Sequence, residues 1–267
     1  MIYRKEEEMN ILMIGDIVGK VGRNAVKELL PKLKNEYSID MVIANAENAS
    51  GGKGISINGY DELYMAGVDV MTLGNHTWAK KEVFKLMNEK NNLIRPANYS
   101  NKVPGVGYVV YNCKGKNILV MNLIGRVDMG ISSDCPFEKA KEIIALAKSQ
   151  QKIDIIVVDF HAEATAEKIA LGYFLKDDAT IVVGTHTHVQ TADDKIYNTG
   201  MGYITDLGMT GPKDSIIGLE YEVALKRFLT QIPERYVCAD GEYIFNGVVF
   251  TVDDNTNKVI SIKRIQM

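Results

Sequence analysis

Apolar residues in this chain fall into two patterns: short unbroken runs, and stretches in which they recur every three or four positions. NILMIG (10–15), DMVIANA (40–46) and VDVMTLG (68–74) are of the first kind and predict strands buried on both faces. RNAVKELLPKLKNEY (23–37, with Pro31 inside it), NGYDELYMAG (58–67) and AKKEVFKLMNEK (79–90) are of the second kind and predict helices. Strand and helix alternate throughout, the order of a largely parallel sheet with helices on its faces.

Further along the pattern changes. GYVVYNCKGKNILVMNLIG (107–125) predicts a hairpin about a Lys-Gly-Lys turn. PFEKAKEIIALAKSQ (136–150) and ATAEKIALGYFLK (164–176) predict helices, and DIIVVDF (154–160) and ATIVVGT (179–185) predict strands. GEYIFNGVVFTVDDNTNKVISIKRI (241–265) alternates on either side of DDNTNK, a second hairpin. No repeat, low-complexity tract or linker divides the chain. The expected organisation is one α/β domain over residues 1–267 with mixed sheets. MIYRKEEE (1–8) is expected as a solvated leader outside the fold, with Met9 a candidate start.

Composition narrows the class. At 267 residues, 46% apolar and 24% charged, the chain reads as an ordinary globular protein. A formal net charge of −3 supplies no general field for capturing nucleic acid. No apolar run approaches the roughly 20 residues that span a bilayer, and the N-terminus has no apolar signal core. Cys113, Cys135 and Cys238 lie far apart and odd in number, which points to reduced thiols and a cytoplasmic location.

The four histidines carry the chemistry. His76 in LGNHTW, His161 in VDFHAEA, and His186 and His188 in VGTHTHVQ each follow a predicted strand end. Other strand ends carry Asp16 in IGDIVG, Glu47 and Asn48 in NAENAS, and Asn75 beside His76. Open α/β sheets bind ligands outside the carboxyl ends of their strands, so topology alone brings these side chains to one edge. A lone histidine at a strand end is usually just a hydrogen-bonded residue. The pair in HTH, at i and i+2 of an extended segment, point the same way and can reach one site. Imidazoles with carboxylate and amide oxygens suit Mn, Fe or Zn better than Ca or Mg.

Gly15, Gly19 and Gly22 surround Asp16 and Lys20, but three residues between the first two glycines match neither a P-loop nor a dinucleotide fingerprint. Their expected work is to let Asp16 leave the strand end, with Lys20 solvated.

The ordered series GD, GNH, a separate His and GTHTH resembles the calcineurin-like metallophosphoesterases. ENASGGKGI, TLGNHTW, RPANY, VDFHAEATAEK, GTHTHVQTAD and TDLGMTGP narrow the resemblance to the YmdB-like branch of bacterial phosphodiesterases, from about Met9 to Met267. Two departures from the wider superfamily fit that branch. Its DxH is here Asp16-Ile17-Val18, and its GDxxD is Asn45-Ala46-Glu47-Asn48, so the bridging carboxylate would be Glu47.

The resemblance implies an αββα sandwich of two mixed sheets flanked by helices, and a site for two divalent transition metal ions, iron or manganese first, zinc next. Asp16, Glu47, Asn48 and His188 would hold one ion; Glu47 would bridge to a second, completed by Asn75, His161 and His186. The implied activity is phosphodiester hydrolysis, of 2′,3′-cyclic nucleotides and potentially RNA, by a metal-bridging hydroxide with His76 as general acid. Members of the branch form homo-oligomers.

Softer expectations concern the surroundings. Ser50, Gly51 and Gly52 could form an amide nest for phosphate oxygens, and Gly208 or Thr210 could contact substrate. Arg95 and Asn98 are candidates for phosphate binding, Glu163 for orienting a histidine, and the single Trp78 for base stacking or core packing. A broad phosphatase or 5′-nucleotidase is the alternative within the enzyme class. Outside it stand a non-catalytic metal or nucleotide sensor or scaffold, and a Rossmann-type nucleotide binder.

Overall fold

The computed structural model describes residues 8–267. In chain order the first part comprises β1 (Glu8–Ile14), β2 (Asp16–Ile17), α1 (Gly19–Glu36), β3 (Met41–Asn45), α2 (Ile57–Ala66), β4 (Val70–Thr72), α3 (Val83–Glu89) and β5 (Leu93–Ile94). The middle comprises β6 (Tyr108–Cys113), β7 (Lys116–Ile124), α4 (Pro136–Gln150), β8 (Ile155–His161), α5 (Thr165–Leu175) and β9 (Ile181–Thr185). The last part comprises β10 (Lys195–Ile196), β11 (Gly202–Ile204), β12 (Met209–Pro212), α6 (Tyr221–Thr230), β13 (Tyr243–Ile244), β14 (Asn246–Asp253) and β15 (Val259–Gln266).

Two six-stranded mixed sheets form the frame. One runs β15-β14-β1-β3-β4-β5, parallel from β1 to β5 and antiparallel at β14 and β15; the other runs β10-β11-β9-β8-β7-β6, with antiparallel edges. Alternation along β1 explains the layering. Ile11 and Met13 face the second sheet and pack with Val120, Val157 and Val183, while Leu12 and Ile14 turn outward onto Val26, Leu30 and Leu33 of α1. On the far side Leu119, Met121 and Val158 meet Ile143 and Ile144 of α4 and Leu171 of α5. The result is the expected αββα sandwich.

Local chemistry accounts for the β6–β7 hairpin. Cys113 pairs with Lys116, and the two intervening residues, Lys114 (φ 52°) and Gly115 (φ 79°), take the left-handed conformation of a tight I′-type turn. Three features differ from expectation. Glu8 is the first residue of β1, paired with Asp253, and not part of a leader; residues 1–7 lie outside the described residues. Helix α1 starts at Gly19, so the glycine-rich turn is already its first turn, while Pro31 lies inside it as expected. The segment from 213 to 240, for which the pattern predicted no element, carries α6.

Candidate metal centre

The strand-end residues meet at one edge of the two sheets, and each arrives by an identifiable route. Asp16 follows Gly15 at the end of β1 and is drawn aside into β2, where its N–H donates to the Gly208 carbonyl at 2.9 Å. A Cβ on Gly15 would overlap that carbonyl oxygen, and one on Gly22 would overlap the carbonyl of Thr210. These glycines therefore admit the 208–210 backbone against the Asp16 turn, and no phosphate cradle is needed to explain them.

Glu47 is the hub. Its Oε1 lies 3.2 Å from His161 Nε2, 3.1 Å from the donating Asn48 Nδ2 and 3.3 Å from His76 Nδ1, and its Oε2 accepts the His76 backbone N–H at 3.0 Å. Asn75 Oδ1 sits 2.9 Å from His161 Nε2, and His186 Nδ1 lies 2.9 Å from the same nitrogen. A Cβ on Gly74 would collide with Glu47 and His161 together, so the glycine of the GNH motif is what lets them close. Ligand atoms of Glu47, His161 and His186 lie within 4.8 Å of one another and could hold a metal ion.

The far nitrogen of each of the three remaining histidines is tied to an acceptor. His161 Nδ1 lies 3.0 Å from Thr185 Oγ1, whose hydroxyl donates to Asp159 at 2.7 Å; the threonine oxygen thus accepts from Nδ1. His188 Nδ1 donates to the Ile217 carbonyl at 2.8 Å, and His186 Nε2 pairs with Glu163 at 3.0 Å. Such partners fix the ring orientations and leave Nε2 of His188 and Nδ1 of His186 as lone pairs facing the cluster, while Nε2 of His161, set against the acceptors Glu47 Oε1 and Asn75 Oδ1, carries a proton that a metal ion would displace. Asp16 Oδ1 is the complementary feature. It is fully buried, has no hydrogen-bond partner, and lies 3.8 Å from His161 Nδ1 and 4.0 Å from His188 Nε2. An orphaned carboxylate oxygen among inward-facing imidazole lone pairs is a donor set that fits a transition metal cation.

Electrostatics without a cation are frustrated. Burial raises the Asp16 carboxyl to about 6 despite His188 and His161. Burial also works to raise Glu47, but His161 and His76 outweigh it and hold Glu47 well below the usual carboxylate range. Burial alone would lower His161; the Glu47 and Asp16 carboxylates instead lift it to about 9. His186 falls to about 3 through burial and the neighbouring His161.

The histidine turn departs from the extended geometry expected of HTH. His186 (φ 102°) and His188 (φ 66°) are both left-handed, a conformation that costs a non-glycine residue about 1–3 kcal/mol and persists only where its surroundings impose it. The two rings reach the same cluster because the backbone turns twice, not because it runs straight.

Among the softer expectations, Glu163 does meet a histidine, and Gly52 lines the cleft over the cluster, a space of about 220 Å³ that includes His76, Ile217, Leu219 and Tyr236. Gly51 instead faces a separate cleft beside Lys20, Arg23 and Lys80. Gly208 and Thr210 are buried; the first braces Asp16, and the Thr210 hydroxyl is bonded to the Asn246 carbonyl, so neither lines the cleft. Arg95 is buried with its guanidinium on the carbonyls of Pro96, Val103 and Pro104, and Asn98 is buried across Ile124 and Asp134, so the polar groups of both are engaged within the fold. Trp78 packs on Phe84 and Tyr99. Sequence reasoning missed Asp159 and Thr185 behind His161, and the wall from Ile217 to Tyr236. Asp159 sits in the quoted VDFH motif, and its position two residues before His161 was the available signal.

A family model described as "YmdB-like protein" matches residues 12–265. The chain belongs to the YmdB-like family. One relative, the 2′,3′-cyclic-nucleotide 2′-phosphodiesterase of Bacillus subtilis (strain 168), is 48% identical over 257 residues, covering 96% of each chain. Among solved structures, a novel phosphatase from Mycoplasma pneumoniae superposes with a TM-score of 0.91 at 38% identity, over 97% of this chain and 93% of that one. A 5′-nucleotidase precursor from Thermus thermophilus, at 13% identity and a TM-score of 0.56, shares the fold over 97% of this chain and 54% of its own. Within this family fold, no helix among the described residues is long and apolar enough to cross a membrane.

Proposed function

We propose that the chain is a metal-dependent phosphodiesterase that hydrolyses 2′,3′-cyclic nucleotides. The observation that carries this reading is the set of three imidazole nitrogens turned inward around Glu47 and the unpartnered Asp16 Oδ1. The 48% identity to a protein named for that reaction supports the substrate class. Asp16, Glu47, Asn48 and His188 would hold one divalent ion, and Glu47, Asn75, His161 and His186 a second, with iron or manganese the best match to the mixed nitrogen and oxygen donors. When bound, such ions would neutralise phosphate charge and make a water acidic enough to act as nucleophile near neutral pH.

His76 has a different task. Glu47 Oε1 and Asn48 Oδ1 (3.0 Å) can only accept, so the proton on Nδ1 is fixed and Nε2 is left for the cleft. Protonated, it is the donor to the departing ribose oxygen, with Glu47 beside it to stabilise the imidazolium. Glu163 holds the His186 ring in the orientation the cluster requires, and Thr185 does the same for His161. Ile217, Leu219 and Tyr236 give the cleft an apolar wall opposite these polar groups.

A broader phosphomonoesterase is the second reading, favoured by the name of the Mycoplasma relative. Hydrolysis of 2′,3′-cyclic AMP, bis-p-nitrophenyl phosphate and a 5′-mononucleotide by wild type, His76→Ala and His186→Ala decides between them. The proposed reading expects the cyclic ester to be preferred, its hydrolysis to fall in both variants, and metal to persist only in His76→Ala. Preference for the monoester would establish the second reading, and undiminished hydrolysis of the cyclic ester by both variants would overturn the first.

A further inference from the structure

A buried ion pair behind the histidine turn has no part in the chemistry above. Lys168, on α5 in the HAEATAEK stretch, and Asp206, in TDLGMTGP, are 1% and 0% exposed, and Lys168 Nζ donates to Asp206 Oδ2 at 2.7 Å. Taking both charges out of water is costly, and an unpaired survivor would be costlier still. A Cβ on Gly184 would strike both the lysine stem and the Thr205 carbonyl, so β9 is shaped to let the lysine through.

The two oxygens of Asp206 serve different segments. Oδ2 also accepts from the backbone N–H of Thr187 at 3.1 Å and from its hydroxyl at 2.7 Å, gripping the residue between His186 and His188. Oδ1 accepts the Gly208 N–H at 2.8 Å, and the Gly208 carbonyl in turn accepts the Asp16 N–H at 2.9 Å. One carboxylate thus spans the left-handed turn that bears two imidazoles and the turn that presents the orphaned carboxylate. Two further ties join those turns: the His186 N–H donated to Asp16 Oδ2 at 3.0 Å and the Met209 N–H donated to the His188 carbonyl at 3.0 Å.

We propose that Asp206, held by Lys168, is a positioning residue that sets the His186–His188 turn and the Asp16 turn at the spacing a metal ion requires. The proposal rests on the metal-site reading above. It explains how two non-glycine residues stay at positive φ, and why a lysine is spent in the interior. Asparagine at 206 would not substitute: an amide has one acceptor oxygen and could serve one segment, never both.

The test is Mn²⁺ affinity of metal-free protein, measured by titration calorimetry, with thermal unfolding of the same samples as the control for folding. Thr187→Val removes one hydroxyl from Asp206 and leaves the ion pair intact. The double variant K168M/D206N removes both charges together, so no buried ion is stranded. Loss of such outer contacts typically weakens metal binding about 10–100-fold, the single variant at the low end and the double at the high end. A merely structural pair would lower the unfolding temperature of the double variant and leave the Mn²⁺ dissociation constant of folded Thr187→Val unchanged. That result would overturn the proposal, whether or not the double variant folds. Wild type that binds no Mn²⁺, Fe²⁺ or Zn²⁺ would overturn the metal reading itself, and this proposal with it.

Discussion

The two sheets bring different chemistry to the shared edge and hold it by different means. The first sheet, with the short β2 that leaves the end of β1, supplies the oxygen donors, Asp16, Glu47, Asn48 and Asn75, and places them by close backbone approach: Gly15 against Gly208, and Gly74 against Glu47 and His161. The second supplies His161, His186 and His188, and places them by occupying the far nitrogen of each ring and by holding two residues at positive φ. Carboxylates are aimed by removing bulk; imidazoles are aimed by adding partners. Each half alone is unfavourable when buried, and a bound cation would reconcile them.

Breaking the hub between the halves has the largest expected effect. Glu47→Ala removes the carboxylate that touches both sets, and metal content of the purified variant falls to background along with hydrolysis. Retained metal would show that the sheets bind ions independently of Glu47. Next comes His76→Ala, which keeps both halves intact. Its kcat for 2′,3′-cyclic AMP falls roughly 10²–10⁴-fold with metal retained, the loss expected of a general acid. Restored activity on an ester whose leaving group needs no proton, such as bis-p-nitrophenyl phosphate, would sharpen that assignment.

Gly74→Ala probes the oxygen side alone. The added methyl pushes Glu47 from His161, costing about 1–3 kcal/mol by overpacking, seen as a lower unfolding temperature and weaker Mn²⁺ binding. An unchanged Mn²⁺ dissociation constant would mean the close approach is not required. The smallest effect comes from pH in the metal-free protein. His161 is raised to about 9 from 6.5, so its contribution to stability is full below pH 6.5 and is lost as pH rises through 9. Thermal unfolding scans between those values show a falling midpoint without metal, while Mn²⁺ affinity rises because the ion displaces that proton. A midpoint that rises with pH would place the imidazolium elsewhere.

Much of this was legible in the sequence, for physical reasons that also mark its limits. Strand ends are visible as the last residue of an apolar run, so the convergence of Asp16, Glu47, Asn75, His161, His186 and His188 could be read from topology before any contact was known. Helix α4 was legible to the residue because Pro136 opens it and its apolar positions keep the helical period throughout. The HTH turn was not legible as a turn, because left-handed histidines have no pattern of their own and depend on Asp206, Asp16 and Ile217 from other parts of the chain. Gly208, Thr210, Arg95 and Asn98 have the residue types of a phosphate site, yet groups such as Asp16, Asn246 and Asp134 that occupy three of them come from elsewhere in the chain. The wall from Ile217 to Tyr236 was invisible because α6 buries little beyond Ala224, leaving no apolar run to read.

The most direct test of the central claim is elemental analysis of protein purified without chelator, wild type beside His186→Ala. About two transition metal ions per wild-type chain, with a clear loss in the variant, is the result this account predicts. A wild-type chain free of iron, manganese and zinc, and indifferent to their addition, would contradict it.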